Sequence, residues 1–129
     1  MIDFAALTRP SSPNTYLLAP EGLCRTAERD GPAPVFDAAP DAVFAAAERA
    51  VRAMPRVSEV AADADRRAIG FVARTKLMRF KDDVDLLVVP QGDGAALAAY
   101  SRSRVGQSDL GANKARVEAL VAAVRDRLA

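Results

Sequence analysis

The amino-acid sequence predicts an α+β fold: a four-stranded antiparallel meander sheet with two helices packed on one face, preceded by an extended N-terminal arm. Two amphipathic helical segments flank a run of strand-like segments, in the order α-β-β-β-β-α. Short turns join the strand-like segments, which favours antiparallel pairing. Each helical segment has one apolar stripe, and one face of a sheet is the simplest surface that covers both.

The chain has 129 residues, of which 50% are hydrophobic and 27% charged, and this suits a single domain. Residues 1–39 are predicted to be an extended, Pro-rich arm, and residues 40–129 to be the α+β domain. The prolines of the arm break any helix, while its apolar side chains are too numerous for a free linker. We therefore expect the arm to pack on the domain. Within it, residues 9–14 are predicted to form a turn held by serine and asparagine side chains.

The first helix is predicted over residues 40–54. Pro40 suits the first turn, Asp41 favours the positive end of the helix dipole, and Pro55 stops the helix. The last helix is predicted to run to about residue 128. Its apolar register extends backwards far enough for Ser108 to be the N-cap residue.

Four strands are predicted between the helices, at residues 57–62, 68–80, 84–90 and 95–104. Three turns join them: a polar turn at 63–66, a tight turn at 81–82 and a hairpin turn at 91–94.

The turns fix a register for the sheet. The tight turn would set Leu77 opposite Leu86, and the hairpin turn would set Val88 opposite Leu97. The face that the helices cover then collects Ile69, Phe71, Leu77, Val84, Leu86, Val88, Leu97 and Ala99. The other face, where Asp83 is opposite Arg102 and Asp85 is opposite Tyr100, collects Arg74, Lys76, Asp83, Asp85, Tyr100, Arg102 and Arg104, with Leu87 and Val89.

Three interpretations of this second, polar face remain open. It is a solvated face with cross-strand ion pairs, each stabilising by about 0.2–1 kcal/mol. Alternatively, it is a basic, aromatic-bearing surface that receives an anionic or amphipathic ligand. In the third interpretation, the N-terminal arm or a partner chain buries it.

The composition argues against several classes of function. The formal net charge of +1 gives no field that would hold a nucleic acid. The chain has no histidine and a single cysteine, Cys24, so the commonest general base and the usual zinc ligands are missing. We therefore expect no cofactor.

No apolar run approaches a membrane span and no signal peptide is visible, so the chain as written is expected to be soluble and cytoplasmic. The alternative is a periplasmic or membrane-tethered domain whose N-terminal anchor was removed.

Three blocks of sequence resemble the DUF1499 family of small bacterial and plastid proteins of unknown function. Residues 103–116 resemble its pattern S-R-x-G-x-S-D-x-G-x-N followed by a basic residue, residues 12–14 its S-P-N turn, and residues 75–84 its T-x-x-x-R-F-x-D-D-V segment. The chain departs from many members at Thr15, where they carry cysteine, and at Tyr100, where they carry arginine. The resemblance implies a shared fold and a shared site but supplies no reaction. Because members often carry a membrane segment or lipoprotein signal, it also implies an envelope association.

The candidate ligand-binding residues lie in and around these blocks: Arg74, Arg79, Tyr100, Arg102, Arg104, Ser108, Asp109, Asn113 and Arg116. The leading interpretation of the blocks is a clamp for the loop between the last strand and the last helix, formed by an ion network of Arg79, Asp82, Asp83, Arg104 and Arg116. In the rival interpretation, free amides at the helix start bind a phosphate or carboxylate together with Arg104 and Arg116. Catalytic residues and a metal site are not predicted, although Asp82 and Asp83 are weak candidates for metal ligands.

The sequence thus favours a non-enzymatic binding or interaction domain for an anionic or amphipathic ligand. One alternative is an enzyme that depends on a divalent cation held by Asp82, Asp83 and Asp109. Another is a structural module of a membrane-associated complex with a protein partner, where membrane association would need a segment that this chain lacks.

Overall fold

The computed structural model describes residues 1–106 and 109–129, and in them the chain has a mixed α+β architecture. Seven strands form one sheet: β1 (Thr15–Ala19), β2 (Gly31–Pro32), β3 (Val35–Phe36), β4 (Val57–Asp63), β5 (Ala68–Arg74), β6 (Lys81–Gln91) and β7 (Gly94–Ser103). The helices are α1 (Pro40–Ala53) and α2 (Ala112–Leu128), and a short 3-10 helix covers Phe4–Ala6. The strand order is β2-β1-β7-β6-β5-β4, with β3 also paired to β7. The predicted fold class is therefore confirmed, but the predicted sheet of four strands was too small.

The four strands that the sequence predicted form the antiparallel meander β4-β5-β6-β7. The hairpin between β6 and β7 sets Val88 opposite Leu97 and Asp83 opposite Arg102, as its turn predicts. The register of this hairpin, and hence the division of its side chains between the two faces, is confirmed.

The predicted tight turn at 81–82 is wrong, because β5 ends at Arg74 and a loop at 75–80 leads to β6. The Thr75 hydroxyl accepts a hydrogen bond from the Phe80 amide at 2.9 Å, and the Thr75 amide donates to the Phe80 carbonyl at 3.0 Å. These bonds compete with continuation of the strand. Consequently Ile69, not Leu77, lies opposite Leu86, and Leu77 is 88% exposed instead of facing the core.

Helix α1 agrees with its predicted span. Pro40 occupies the start, Asp41 lies in the first turn, and the extended backbone of Met54 ends the helix before Pro55.

Helix α2 begins at Ala112, later than the predicted start at Ser108, which lies outside the described residues. Leu110 and Gly111 have left-handed backbone angles, with φ values of 54° and 83°. A right-handed helix cannot pass through such residues, so it starts after them.

Both helices pack on one face of the sheet and bury a common apolar core. From the sheet the core includes Ile69, Phe71, Leu86, Val88 and Leu97, and from the helices it includes Val43, Val51, Val117, Leu120 and Val124. Neither helix in the described ranges is long and apolar enough to cross a membrane.

The N-terminal segment adds three short strands to the sheet and a second core to its other face. Strand β1 pairs antiparallel with β7, and β3 pairs with the beginning of β7. The second core is formed by Phe4, Leu7, Leu17, Ala19, Ala98 and Tyr100. Part of the predicted polar face is therefore covered by residues 1–30, as the third interpretation of that face holds.

Gly94, at the start of β7, has no space for a side chain. A Cβ atom at this position would overlap the Phe36 backbone carbonyl in the neighbouring strand β3. We expect Gly94→Ala to destabilise the fold by about 2 kcal/mol or more, because rigid backbone must move to admit the methyl group. Asp93→Ala, in the same hairpin but exposed, should change the free energy of unfolding by less than about 0.5 kcal/mol. Urea unfolding of both variants measures the difference, and equal stabilities would contradict the close approach of β3.

Candidate functional site: one end of the sheet

Three loops meet at one end of the sheet. Antiparallel pairing brings the end of β5, the beginning of β6 and the end of β7 together, and Thr15 at the start of β1 pairs with Arg102 near the end of β7. The segments 10–14, 75–80, 104–106 and 109–111 therefore emerge side by side. They contain most of the three sequence blocks that resemble the family.

The side chain of Asn113, which is fully buried, joins these segments. Its amide nitrogen lies within hydrogen-bond distance of the Asn14 carbonyl (3.0 Å), the Ser103 hydroxyl (3.0 Å) and the Asp109 carboxylate (2.6 Å). Its amide oxygen accepts hydrogen bonds from the Ser101 hydroxyl at 2.6 Å and the Arg116 guanidinium at 3.1 Å. We call these six residues the Asn113 network: Asn14, Ser101, Ser103, Asp109, Asn113 and Arg116.

Asp109 holds the beginning of α2. Its carboxylate accepts hydrogen bonds from the backbone amides of Gly111 at 2.9 Å and Asn113 at 3.2 Å. Burial acts to raise the pKa of Asp109, but the hydrogen bonds from Asn113 and Gly111 outweigh it and lower that pKa. Asp109 therefore satisfies free amides at the helix start that the rival interpretation of the motif assigned to a bound anion.

Asp82 and Arg116 form a buried ion pair beneath the start of α2. Asp82 Oδ2 lies 2.9 Å from Arg116 Nη2, and the two side chains are 1% and 10% exposed. The two groups are at ion-pair distance, but from the residues that the structure describes neither carboxylate oxygen accepts an aligned hydrogen bond. Burial raises the pKa of Asp82, and the Arg116 guanidinium opposes that rise. The pair thus links α2 to β6 through a carboxylate that is buried from water and incompletely hydrogen-bonded.

On the opposite face of the sheet, two further arginines are paired with aspartates. Arg102 lies 2.7 Å from Asp85 and 5.0 Å from the centre of the buried Tyr100 ring. Arg104 contacts both oxygens of Asp83, at 2.8 and 2.9 Å. The hydrogen bond from Arg104 is the main cause that lowers the pKa of Asp83. These contacts neutralise the two arginines.

The remaining candidate residues are dispersed. Arg74 is half-buried at the end of β5, where its backbone bonds to Arg56. Arg79 is exposed in the loop at 75–80, with a left-handed φ of 55°, and forms no ion pair with a carboxylate in the part of the chain that the structure describes. Ser108 lies outside the described residues. Of the predicted clamp, Asp82 with Arg116 and Asp83 with Arg104 form pairs on opposite faces of the sheet, while Arg79 joins neither.

The three carboxylates of the metal-dependent alternative do not converge on one point. Asp82 and Asp83 are consecutive on β6, so their side chains lie on opposite faces of the sheet. Asp109 is occupied by the start of α2. No group of three or more potential ligands close enough for a metal ion occurs among residues 1–106 and 109–129.

An apolar groove, which sequence reasoning missed, opens between the loop at 75–80 and the residues 105–106 and 109–110. Its volume is about 360 Å³, near the lower end of the range for ligand pockets. Seven large apolar side chains are exposed in the described ranges, and five of them line this loop groove: Leu77, Met78, Phe80, Val105 and Leu110. Of its polar lining residues, Lys76 is exposed and defines what we call the rim, Ser103 and Asp109 are half-buried, and Asp82 is buried.

The sequence did contain a signal for the groove. Residues 76–81 read K-L-M-R-F-K, with cations interleaved among large apolar residues and no acid. Extending β5 through this stretch assigned Leu77 to the core and concealed the pattern.

Comparisons with known proteins identify a family and distant neighbours. Residues 7–124 match the family described as "Protein of unknown function (DUF1499)". No curated protein matches the chain. Among solved structures, TTHA0849 from Thermus thermophilus is similar with a TM-score of 0.47 and 13% identity, over 73% of this chain and 92% of that one. The di-domain ARO/CYC BexL from the BE-7585A biosynthetic pathway is similar with a TM-score of 0.46 and 16% identity, over 74% of this chain and 42% of that one.

We expect Asn113→Ala to lower the free energy of unfolding by about 3 kcal/mol, because it leaves several buried polar groups without their partner. Lys114→Ala, at the neighbouring exposed position of the same helical turn, should change it by less than about 0.5 kcal/mol. Chemical denaturation compares the two variants. A similar small effect of both would show that the Asn113 network does not support the fold.

The Asp82–Arg116 pair predicts a pH-dependent loss of stability. Arg116→Met should cost about 3 kcal/mol at neutral pH, because it leaves the Asp82 carboxylate buried without its cation. A carboxyl group whose pKa is raised by folding stabilises the fold most below its unfolded pKa, and this contribution is lost as the pH rises through the folded pKa. The stability gap between the parent chain and Arg116→Met should therefore narrow as the pH falls.

Thermal or urea unfolding at several pH values measures that gap. The double variant Asp82→Asn/Arg116→Met is the control, since it has no carboxyl to titrate at this position and its gap should not narrow in this way. A gap for Arg116→Met that stays constant with pH would contradict the buried pair.

Proposed function

The chain belongs to the DUF1499 family, and from this premise we propose that it is a non-enzymatic binding domain whose loop groove takes the apolar part of an anionic amphiphile. The observation that carries this proposal is the concentration of five of the seven exposed large apolar side chains on one groove. Isolated exposed apolar residues are ordinary, whereas a contiguous exposed set is typical of a binding surface.

The polarity of the groove orients the ligand. Asp82 and Asp109 lie among its inner polar residues and would repel an anion, while Lys76 lies at the rim. Among the described residues, Lys76 forms no ion pair with a carboxylate. An amphiphile with an apolar chain directed inwards and an anionic head at the rim satisfies both features. Most of the predicted arginine candidates are not needed, because Arg102, Arg104 and Arg116 already have carboxylate partners.

The hydrogen bonds that hold the walls of the groove also support a binding site. The Asn113 network fixes one wall of the groove and the Thr75–Phe80 hydrogen bonds close the loop that forms the other. A site held in place before binding loses little conformational entropy when the ligand enters. Because amphiphiles concentrate at membranes, an envelope-associated location on either side of a membrane is part of this proposal.

A displacement assay tests the ligand class. An apolar fluorescent dye should bind the parent chain and be displaced by decanoate. Val105→Ser should weaken decanoate binding about five- to tenfold, since the valine side chain contributes apolar contact within the groove. The matched control is Val35→Ser, which replaces the same residue type at nearly equal exposure, 47% against 53%, outside the groove.

The charge at the rim is tested in the same assay. Lys76→Gln should weaken binding of decanoate and leave binding of the neutral decanol unchanged, because only the carboxylate head interacts with the lysine. Equal effects of Val105→Ser and Val35→Ser, or no displacement by either amphiphile, would refute the proposal.

A further inference from the structure

We propose that the loop at 75–80, together with Lys81 at the start of β6, docks the domain onto an anionic lipid bilayer. The loop groove then opens towards the lipid. The inference rests on the proposed function for the groove and adds the partner that presents the ligand. The occupant of the exposed apolar surface is thus a membrane surface, not a second protein.

The apolar side chains at this end of the sheet are unusually exposed. Leu77 and Met78 at the tip of the loop are 88% and 68% exposed, and Leu110 on the neighbouring loop is 96% exposed. Side chains that only lined a groove for a small molecule would be half covered by its walls. Leu77, Met78 and Leu110 line the groove but keep most of their surface exposed at this end of the sheet, where it can enter the headgroup region of a bilayer.

The charge of the loop complements that of an anionic bilayer. Residues 75–81 carry three cations, Lys76, Arg79 and Lys81, and no acid. Nearby carboxylates are engaged elsewhere: Asp82 pairs with Arg116, Asp83 pairs with Arg104, and Asp109 holds the start of α2. Within residues 1–106 and 109–129, these three cations form no ion pair with a carboxylate. Such cations among apolar side chains match an anionic interface, where each basic residue strengthens binding about fivefold. A purely apolar protein surface would leave the cations unpaired, and a purely acidic one would leave the apolar side chains uncovered.

Backbone hydrogen bonds hold the loop at 75–80 in a closed conformation. The Thr75–Phe80 bonds and a hydrogen bond from the Arg79 amide to the Thr75 carbonyl at 3.2 Å close it. The left-handed backbone of Arg79 lies within this closed turn. The loop therefore holds its apolar and basic side chains outwards as a preformed surface.

Vesicle binding tests the proposal. Because the chain contains no tryptophan, a single introduced tryptophan serves as a fluorescent probe. Leu77→Trp should bind vesicles of phosphatidylglycerol but not of phosphatidylcholine, with a blue shift of its fluorescence as the indole leaves water. Val35→Trp, placed away from the loop, should show no shift on the same vesicles. Added salt should weaken the binding, because it screens the attraction of the cations.

Arg79 separates docking from ligand binding, since it is absent from the lining of the groove. Arg79→Gln should weaken binding to phosphatidylglycerol vesicles about fivefold and leave decanoate binding in solution unchanged. Arg49→Gln, an equal loss of charge at an exposed position of α1, should affect neither. Circular dichroism verifies that each variant is folded.

The outcomes distinguish the two proposals. Decanoate binding without any vesicle binding would overturn the docking proposal and leave the proposed function intact. Vesicle binding that Arg79→Gln and Arg49→Gln weaken equally would overturn it too, because the attraction would then depend on net charge and not on the loop. Saturable capture of a protein partner by the loop, with no affinity for vesicles, would assign the surface to the other class of occupant and so reject it.

Discussion

The buried amide of Asn113 is the contact on which the end of the sheet depends. It connects the end of β7, the loop before α2 and the helix itself to the segment before β1, which is 99 residues away in the sequence. A buried amide is favourable only when its donors and acceptors are satisfied together. Displacement of any one of these segments therefore weakens the bonds of the others, and the four segments keep a single arrangement.

The ion pairs around this network decide which charges remain for a partner. Arg102, Arg104 and Arg116 each lie beside an aspartate of β6, so three arginines that look available in the sequence are neutralised in the fold. Among the described residues at this end of the sheet, the cations without a carboxylate partner include Lys76 and Arg79 of the apolar loop at 75–80 and Lys81 beside it. The three ion pairs at the end of the sheet thus leave a surface that is basic, even though the net charge of the chain is only +1.

Much of the fold follows from local sequence. Pro40 and Pro55 bound α1, and the hairpin turn at 91–94 fixes the register of β6 and β7, which places Asp83 opposite Arg102. The burial of Asn113 also follows from the apolar register of α2. The added strands β1 to β3 do not follow from local sequence. Short strands among prolines have little periodicity, and β1 and β3 are defined by their pairing with β7.

The candidate site was predicted less well than the fold, because the end of β5 also depends on a contact that hydrophobic periodicity does not show. A hydroxyl that bonds to a backbone amide five residues away, as Thr75 does with Phe80, ends β5 without changing its apolar alternation. Sequence alternation alone therefore cannot separate a long strand from a strand followed by a closed loop.

The exposed apolar loop is maintained against the general tendency to bury such side chains. Burial stabilises by about 25 cal/mol per Å² of apolar surface, so Leu77 and Met78 would fold inwards if the backbone allowed it. The N-terminal segment shows this tendency, since Phe4, Leu7 and Leu17 are buried against the sheet. The loop at 75–80 is prevented from doing so by its own hydrogen bonds and by the Asn113 network beside it. Exposure here is thus imposed by the fold, and this is the physical condition that the proposed docking surface requires.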